Sequence, residues 1–357
     1  MRDPLNNQMP LNVIAQQFSR SATNIQPLGN GFINDTYRVT TGTKPFVLQK
    51  INKHVFPNPE QIMTNLMALN RHIGRVNDKS IALKIPQLLP TGNGDNFFCD
   101  GQGDYWRALN YIENTESLET IADLAQAEQV GSALGQFHRL AYGLDATTLC
   151  DTLPGFHITP GYLRHYQEVK NRTPIAENSY CRDFIARLQH IVNDLETAKE
   201  QGFLSLKVIH GDPKLNNFLF DTTSGHIVSI VDLDTVKPGL IHYDIGDCLR
   251  SCSHNTMTDS FDLEICRRLL TSYLAQMGNL FSMNDYQFLY PAIRLIPFEL
   301  GIRFYTDYLD GNRYFKVTEP DDNLRRANSQ FLLCASVMAQ EIEIKNLIMQ
   351  LQLQSVN

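Results

Sequence analysis

The residues best suited to chemistry lie between positions 208 and 247. Asp212 follows a short apolar run and a His-Gly pair, and Asn217 comes five residues after it. Asp232 follows a second apolar run at 227–231, so it is predicted to lie at the end of a buried strand. Phosphoryl transfer suits such a set, because it depends on positioning and charge neutralisation more than on covalent chemistry. We therefore predict a phosphotransferase.

Each of these three side chains has a predicted role. Asp212 is placed to accept the proton of an attacking hydroxyl, as in protein kinases, where an Asn also follows the catalytic-loop Asp by five residues. Asn217 and Asp232 would hold Mg²⁺, because this ion takes hard oxygen ligands and keeps several waters. A single Asp after a strand is more often a turn residue or a helix cap. The three positions occur together within one short stretch, which favours the catalytic interpretation.

Two neighbours of these residues are predicted to be structural. His210, directly before Gly-Asp, is expected to bond the backbone of the loop and not to act as a general base. Asp244, in Tyr-Asp-Ile-Gly-Asp, is expected to hold the catalytic loop by accepting bonds from backbone N–H groups.

A site for the triphosphate is predicted in the N-terminal third. Gly29 and Gly31 lie between strand-like flanks, where glycine allows backbone amides to approach phosphate oxygens, although Gly-x-Gly alone is more often a plain hairpin turn. In the next predicted strand, Gln49 and Lys50 point to opposite faces, so either could meet the phosphates. Glu60, at the start of a helix predicted over 60–73, is a candidate partner of the lysine or a stabiliser of the helix dipole.

The elements that position these residues change in character along the chain. The first third is strand-rich around one helix, and the remainder is helix-rich. Helices are predicted there at 121–140, 183–200, 261–277, 285–302 and 324–351. A hinge is expected in the polar stretch 113–117, and Tyr111 and Ile112 just before it would bind adenine through their backbone.

These patterns predict an α+β fold with the two lobes of a protein kinase. Residues 1–112 would form a nucleotide-binding lobe around a small antiparallel sheet. Residues 113–357 would form a larger, helical lobe for catalysis and substrate binding.

The composition of the chain limits the classes of partner that the protein is expected to bind. The formal charge of −7 disfavours nucleic acid and acidic membrane surfaces, which need a basic footprint. Seven scattered Cys suggest reduced thiols, and neither a secretory leader nor a membrane-length apolar run is evident, so we expect a cytoplasmic protein. A small polar substrate fits these bounds.

The signature His-Gly-Asp-x-x-x-x-Asn, with Ile-Val-Asp and Tyr-Asp-Ile-Gly-Asp, resembles the aminoglycoside phosphotransferase and choline kinase superfamily, small-molecule relatives of protein kinases. Longer blocks are similar to the N-acetylhexosamine 1-kinases, and they span most of the chain: 29–37, 48–52, 54–56, 155–160, 231–239, 304–315 and 323–330. The resemblance implies phosphorylation of the anomeric hydroxyl of N-acetylglucosamine or N-acetylgalactosamine with ATP and Mg²⁺. Asp212 would then be the base, with Mg²⁺ held by Asn217 and Asp232.

A sugar must be gripped by polar groups and an apolar or aromatic wall. The candidates are Asn34, Asp35, His157, Arg303, Asp307, Arg313 and Tyr314. We favour Arg303, because a buried guanidinium fits ring hydroxyls or an acetamido carbonyl. Arg303 and Asp307 are four residues apart on a predicted helix, so they could instead pair with each other.

Two other function classes remain open. The first is a kinase of another hydroxyl acceptor, such as an aminoglycoside, a choline-like amine or a different sugar. An acidic, aromatic pocket would favour a cationic acceptor of this kind. The second is a non-catalytic module with a kinase fold. Such a module is expected to lack one of Asp212, Asn217 or Asp232, and this chain has all three.

Overall fold

The computed structural model describes residues 9–29 and 33–356. This part of the chain has the predicted α+β fold of two lobes. The small lobe contains a six-stranded antiparallel sheet, formed by β1 (Asn24–Pro27), β2 (Asp35–Thr40), β3 (Phe46–Lys50), β4 (Leu88–Leu89), β5 (Phe98–Cys99) and β6 (Tyr105–Asn110). The strand order is β1-β2-β3-β6-β4, and β5 also pairs with β6. In this register Gln49 lies beside Arg107, and Lys50 lies beside Trp106.

Two helices accompany the sheet. Helix α1 (Leu11–Phe18) packs Ile14 and Ala15 into a small core with Leu48 and Trp106 from one face of the sheet. Helix α2 (Pro59–Ile73) has its buried residues, including Leu66, in the main core of the large lobe.

The large lobe is helical. Its helices are α3 (Leu124–Ala141), α4 (Thr159–Arg172), α5 (Ser179–Leu188), α6 (Asp194–Glu200), α7 (Ile241–Cys252), α8 (Leu263–Met277), α9 (Met283–Gln287), α10 (Leu289–Leu309), α11 (Asp322–Ala339) and α12 (Glu341–Val356). Helices α3 and α8 approach so closely at Gly131 that a Cβ atom there would lie 2.1 Å from the Leu269 carbonyl oxygen. In the described residues, no helix combines the length and apolarity needed to cross a membrane.

Short strand pairs bring the predicted catalytic residues together. The pairs in this region join β7 (Thr115–Ser117), β8 (Lys207–Ile209), β9 (Phe218–Asp221), β10 (Ile227–Ile230) and β11 (Lys237–Gly239). Strand β9 pairs with both β7 and β10, and β8 pairs with β11. The loop after β8 carries Asp212, and the loop between β10 and β11 carries Asp232. A further pair, β12 (His254–Asn255) with β13 (Ser260–Phe261), follows α7.

Several predicted boundaries differ from the structure. The helix predicted at 183–200 is divided between α5 and α6 by a 3₁₀ segment at Gln189–Asn193, and that at 285–302 is divided at Phe288. The helix predicted at 324–351 ends and restarts at Gln340, whose Nε2 donates to the Phe261 carbonyl at 2.9 Å. The polar stretch 113–117 contains β7, because pairing with β9 outweighs its weak local pattern.

Candidate active site

A buried carboxylate of α7 holds the segment before Asp212. Asp244 Oδ2 accepts the His210 backbone N–H at 2.7 Å, and its Oδ1 accepts that of Gly211 at 2.8 Å. The same carboxylate contacts His138 Nε2 at 2.9 Å. These bonds confirm the structural role predicted for Asp244, and they fix the backbone that presents Asp212.

The conformation of the loop before Asp212 also depends on the neutral imidazole of His210 and on Gly211, which has no side chain. His210 Nε2 lies 2.9 Å from the Val231 carbonyl, which can only accept, and Nδ1 accepts the Asp212 N–H at 3.3 Å. Burial lowers the pKa of His210, which favours this neutral form and confirms its structural role. Gly211 has φ +89°, and a Cβ there would lie 2.6 Å from the Thr235 carbonyl oxygen, so only glycine fits.

Asp212 itself faces the cleft, with its side chain 26% exposed. Its Oδ2 accepts a bond from Lys214 Nζ at 2.7 Å, which leaves Oδ1 for a substrate hydroxyl. Burial lowers the pKa of Lys214, but the carboxylates of Asp212 and Asp232 outweigh burial, and the net shift is upward. Lys214 was missed by the sequence interpretation; the available signal was a lysine two residues after the proposed base.

Asn217 joins the two loops. Its Nδ2 donates to the Asp212 carbonyl at 2.7 Å, and its own carbonyl accepts the Val231 N–H at 2.8 Å. Because Nδ2 is engaged with the loop, Oδ1 is the side-chain atom that could face a cation.

Asp232 follows β10 in a left-handed conformation, with φ 64° and ψ 54°. Its side chain is exposed to the cleft. Loss of hydration, together with the nearby carboxylates of Asp234 and Asp212, raises the pKa of Asp232 to about 6. The cations Lys214 and Arg107 act in the opposite direction but do not cancel this effect.

These residues fit a hard divalent cation. Lys214 is paired with Asp212, and Arg107 is paired with Asp234, so the charge of Asp232 is the least compensated of the three carboxylates. A carboxylate and an amide oxygen on adjacent loops, completed by phosphate oxygens and water, form the donor set that Mg²⁺ prefers.

A buried network links the two lobes behind Asp232. Arg107 on β6 pairs with Asp234, and the two side chains are only 1% and 2% exposed. Arg107 also donates from Nε and Nη2 to Gln49 Oε1, at 3.0 and 2.8 Å. Asn34 Nδ2 donates to the other carboxylate oxygen of Asp234 at 2.6 Å. Gln49 therefore lies on the face of the sheet that carries the contacts to Asp234, whereas its contact with the phosphates stays a prediction.

Lys50 lies on the other face of the sheet. Its Nζ is 2.5 Å from Asp104 and 5.8 Å from the centre of the Trp106 ring, on the side that packs against α1. This position corrects the assignment of Lys50 to the phosphates. Glu60 does not pair with it, because the Glu60 carboxylate accepts the Tyr105 hydroxyl at 3.1 Å.

Two sugar-binding candidates near the glycine turn have other positions. Asn34 is buried between Asp234 and the backbone N–H of Asn52, which Oδ1 accepts at 2.9 Å. Asp35 lines an open cavity with Lys50 on the outer side of the sheet. Asn34 is thus engaged at both ends of its amide, and Asp35 lies with Lys50 away from Asp234, so both assignments to the sugar are corrected.

The remaining nucleotide-site candidates lie at the glycine turn and the lobe connection. Gly29 has φ +69°, a conformation that favours glycine, and Gly31 lies outside the described residues. Tyr111 and Ile112 are half-buried directly after β6. The Tyr111 ring lies 4.8 Å below the Arg38 guanidinium. The binding of adenine by Tyr111 and Ile112 stays a prediction.

The side chain of Arg303 on α10 is surrounded by three aromatic rings. Its guanidinium carbon is 5.0 Å from the centre of the Phe156 ring, 5.1 Å from Tyr162 and 5.6 Å from Phe315. We call these four residues the aromatic cage. In the part of the chain that the structure describes, no carboxylate lies within ion-pair distance of Arg303. Burial lowers the pKa of Arg303, but the groups around it, Tyr162 and Glu299 before Tyr314 and Asp212, outweigh burial, and the net shift is upward.

Asp307 is engaged in folding the loop after α10. Its carboxylate accepts the backbone N–H groups of Arg313, Tyr314 and Phe315 at 2.8, 2.8 and 2.9 Å. Asn323 Nδ2 adds a fourth bond at 2.9 Å. This corrects the assignment of Asp307 to substrate, and it also excludes the alternative that Asp307 pairs with Arg303.

The other C-terminal candidates differ in exposure. The Arg313 side chain is 75% exposed and lies 3.7 Å from Asp310, so it points to solvent and not into the cage. Tyr314 is half exposed and meets Phe315 edge-on, with ring centres 4.8 Å apart. Tyr314 is therefore at the rim of the cage, where its role in binding stays a prediction.

His157 is buried beside the loop that carries Asp212. Its Nε2 lies 2.7 Å from the Gly211 carbonyl, and its Nδ1 lies 3.0 Å from Glu299. Burial lowers the pKa of His157, but Glu299 outweighs this and the net shift is upward. Both ring nitrogens can then donate. His157 is thus corrected from a sugar contact to a residue that positions the loop.

Comparison with known proteins agrees with this geometry. The model of the phosphotransferase enzyme family matches residues 24–280. The chain belongs to this family. The match covers the sheet of the small lobe, the loop that carries Asp212, and α8, and it ends before α10, which carries Arg303.

Solved structures show the same fold as this phosphotransferase. A microcompartment-associated aminopropanol kinase is 17% identical, with 93% of this chain and 98% of that chain covered and a TM-score of 0.68. An aminoglycoside phosphotransferase from Alicyclobacillus acidocaldarius is 15% identical over 99% of each chain, with a TM-score of 0.66. An amicoumacin kinase in complex with AMP-PNP, Ca²⁺ and Ami is 14% identical over 86% of each chain, with a TM-score of 0.58.

Proposed function

We propose that this phosphotransferase transfers the γ-phosphoryl group of ATP to the anomeric C1 hydroxyl of an N-acetylhexosamine, with Mg²⁺ as the cofactor. The observation that carries the acceptor class is the aromatic cage, which holds a guanidinium against Phe156. Phe156 directly precedes His157, whose imidazole contacts the Gly211 carbonyl next to Asp212, so the cage is on the same side of the loop as that contact. A cationic acceptor would require carboxylates in place of this guanidinium. The family match supports the transfer, and the complex of the amicoumacin kinase with AMP-PNP and Ca²⁺ supports a nucleotide and a divalent ion.

The charges around the cage disfavour an amine acceptor. Asp307 is saturated by four hydrogen bonds to the loop that it folds. Glu299 is buried, and its two oxygens contact His157 at 3.0 Å and Thr159 at 2.7 Å. A substrate ammonium group would therefore meet the Arg303 guanidinium, and the carboxylates of Asp307 and Glu299 are not free to offset the repulsion.

A neutral N-acetylated sugar suits the same surroundings. The guanidinium of Arg303 donates in a planar fork, which matches an acetamido carbonyl or neighbouring ring hydroxyls. The aromatic faces of Phe156, Tyr162 and Phe315 offer an apolar wall for the sugar ring. Burial raises the pKa of Tyr162 to about 12, so its hydroxyl remains a hydrogen-bond donor at neutral pH.

The transfer then follows from the positions of the loop residues. Asp212 Oδ1 accepts the proton of the C1 hydroxyl as that oxygen forms a bond to the γ-phosphorus. The bond from the γ-phosphorus to the bridging oxygen breaks, and its electron pair leaves with ADP. Lys214 fixes the orientation of the Asp212 carboxylate through Oδ2. Asp232 and Asn217 would hold Mg²⁺, which neutralises phosphate charge when bound.

A cytoplasmic location is part of this proposal. All seven cysteines are free thiols, and five of them are buried. Reduced cysteines are typical of proteins in the cytosol, where disulfides are rare.

The test is formation of ADP from ATP with Mg²⁺ in the presence of N-acetylglucosamine, N-acetylgalactosamine, galactose, choline or an aminoglycoside. Asp212→Asn is assayed beside the wild type, and the product is identified by phosphorus NMR. We expect turnover with an N-acetylhexosamine, a sugar 1-phosphate as product, and loss of turnover in Asp212→Asn. Turnover only with choline or the aminoglycoside would overturn the acceptor class and retain the phosphotransferase. No turnover with any acceptor would overturn the acceptor class as well.

A further inference from the structure

Among the residues of the small lobe that the structure describes, there is no lysine–glutamate pair like the one by which protein kinases hold their triphosphate. In those enzymes a strand lysine faces the phosphates and pairs with a glutamate of the neighbouring helix. Here Lys50 is on the opposite face with Asp104, and Glu60 is bonded to Tyr105. The cleft-facing position of β3 is occupied by Gln49, which is uncharged.

Arg107 supplies a cation at this place from the adjacent strand. It is directly opposite Gln49 in the sheet register. Gln49 Nε2 donates to Thr36 Oγ1 at 3.1 Å, which orients Oε1 toward Arg107 to accept its two bonds. The guanidinium is therefore fixed on one side by a neutral amide and on the other by Asp234.

The pairing of Arg107 differs from that of the kinase lysine in one respect. Its carboxylate partner, Asp234, is not on α2 but on the loop of Asp232, two residues after the proposed metal ligand.

The Nη1 atom of Arg107 is buried and has no hydrogen-bond partner in the described residues. Buried donors without a partner are rare in folded proteins, so this atom indicates a ligand that completes the site.

We propose that Arg107 is the cation of the triphosphate site, with Asp234 in place of the helix glutamate and Nη1 as a donor to a phosphate oxygen. The inference rests on the nucleotide half of the proposed function and is independent of the acceptor. Guanidinium is suited to this role because it binds phosphate through several N–H groups held in one plane. The proposal also explains why β3 has a glutamine at position 49, because the side-chain carbonyl of Gln49 orients Arg107.

The test compares the affinities of Mg·ADP and adenosine by calorimetry. Arg107→Met is expected to weaken Mg·ADP binding by about tenfold to a hundredfold, the effect of losing a charge-assisted hydrogen bond, with adenosine affinity unchanged. Arg107→Lys should retain part of the Mg·ADP affinity. Adding Gln49→Lys to Arg107→Met should restore part of it, because the cation returns to the strand that protein kinases use.

Lys50→Met is the matched control, since it removes one positive charge from the neighbouring strand β3 on the other face of the sheet, and it should leave both affinities unchanged. If Arg107→Met does not fold because Asp234 is left unpaired, the double variant Arg107→Met with Asp234→Asn removes both charges and is measured in its place. A folded variant without the guanidinium that binds Mg·ADP as the wild type does would overturn the proposal. A parallel loss of adenosine affinity would also overturn it, because that result indicates a structural role. Failure of every sugar to turn over would leave this test intact.

Discussion

The imidazole of His157 lies 2.7 Å from the carbonyl oxygen of Gly211, the residue before the proposed base. The other ring nitrogen is 3.0 Å from Glu299 on α10. The position of Asp212 therefore depends on a chain of contacts that begins in the core of the large lobe.

His157→Phe keeps a ring in this space and removes both donors. We expect kcat to fall about tenfold or more through misplacement of Asp212, with the KM for ATP unchanged. The free energy of unfolding should fall by about 3–5 kcal/mol, because Glu299 is left as an unpaired buried charge. Steady-state kinetics and urea denaturation measure the two effects. Adding Glu299→Gln should restore part of the stability but not kcat; recovery of both would contradict a positioning role for His157.

The same ion pair predicts how stability depends on pH. The pKa of His157 is raised in the folded protein, so its contribution is fully present below the pKa of an unfolded histidine. The contribution is lost as pH rises through the higher pKa of the folded state. An ordinary histidine has a pKa of about 6.5, so the decline should begin near this pH and continue above it. Urea denaturation of the wild type between about pH 6 and 9 should show it. His157→Phe should show a flatter profile, and identical slopes would contradict the assignment.

Arg303→Met should remove the central donor of the aromatic cage. We expect kcat/KM for the N-acetylhexosamine to fall by about tenfold to a hundredfold, since hydrogen bonds from a charged group are lost, while Mg·ADP affinity stays unchanged. Arg313→Met is the control, because its side chain is 75% exposed and lies outside the cage. Equal effects of the two substitutions would show that net charge, and not the cage, governs acceptor binding.

Gly211→Ala should strongly destabilise the fold, because the backbone at Gly211 is left-handed and other atoms crowd the position of the added Cβ. We expect a loss of about 2–4 kcal/mol in the free energy of unfolding, from the strained conformation together with the contact to the Thr235 carbonyl. Gly225→Ala is a matched control, with φ +69° and nothing within 4 Å of the added Cβ atom. Gly225→Ala should lower the free energy of unfolding by the backbone strain alone, about 1–2 kcal/mol. Similar losses in thermal or urea denaturation would contradict the steric argument.

The sequence predicted the internal contacts of the loop around Asp212 well, because those contacts are local or follow from strand ends. The catalytic role of the loop stays a prediction. Asp244 and His210 were assigned structural roles from their place beside Gly-Asp, and the hydrogen bonds confirm both. Asp212, Asn217 and Asp232 lie on adjacent loops, as two strand ends with a fixed offset indicate.

The sequence could not predict contacts that depend on distant segments. Arg107 and Asp234 are 127 positions apart, so nothing local marks either as the partner of the other. Asn34, His157 and Asp307 have side chains that suit a sugar, yet each is used to hold backbone or another side chain. Residue type shows what a group can bind, whereas the fold decides which partner reaches it first.

Helix α2 has a consequence for movement between the lobes. Asn65 on this helix donates to the carbonyls of Cys150 and Val236, at 2.8 and 2.9 Å, and accepts the Cys150 N–H at 2.9 Å. With its buried residues in the main core, α2 is attached to the large lobe more firmly than to the sheet. An opening motion would therefore separate the sheet from α2, with the helix remaining part of the stationary body.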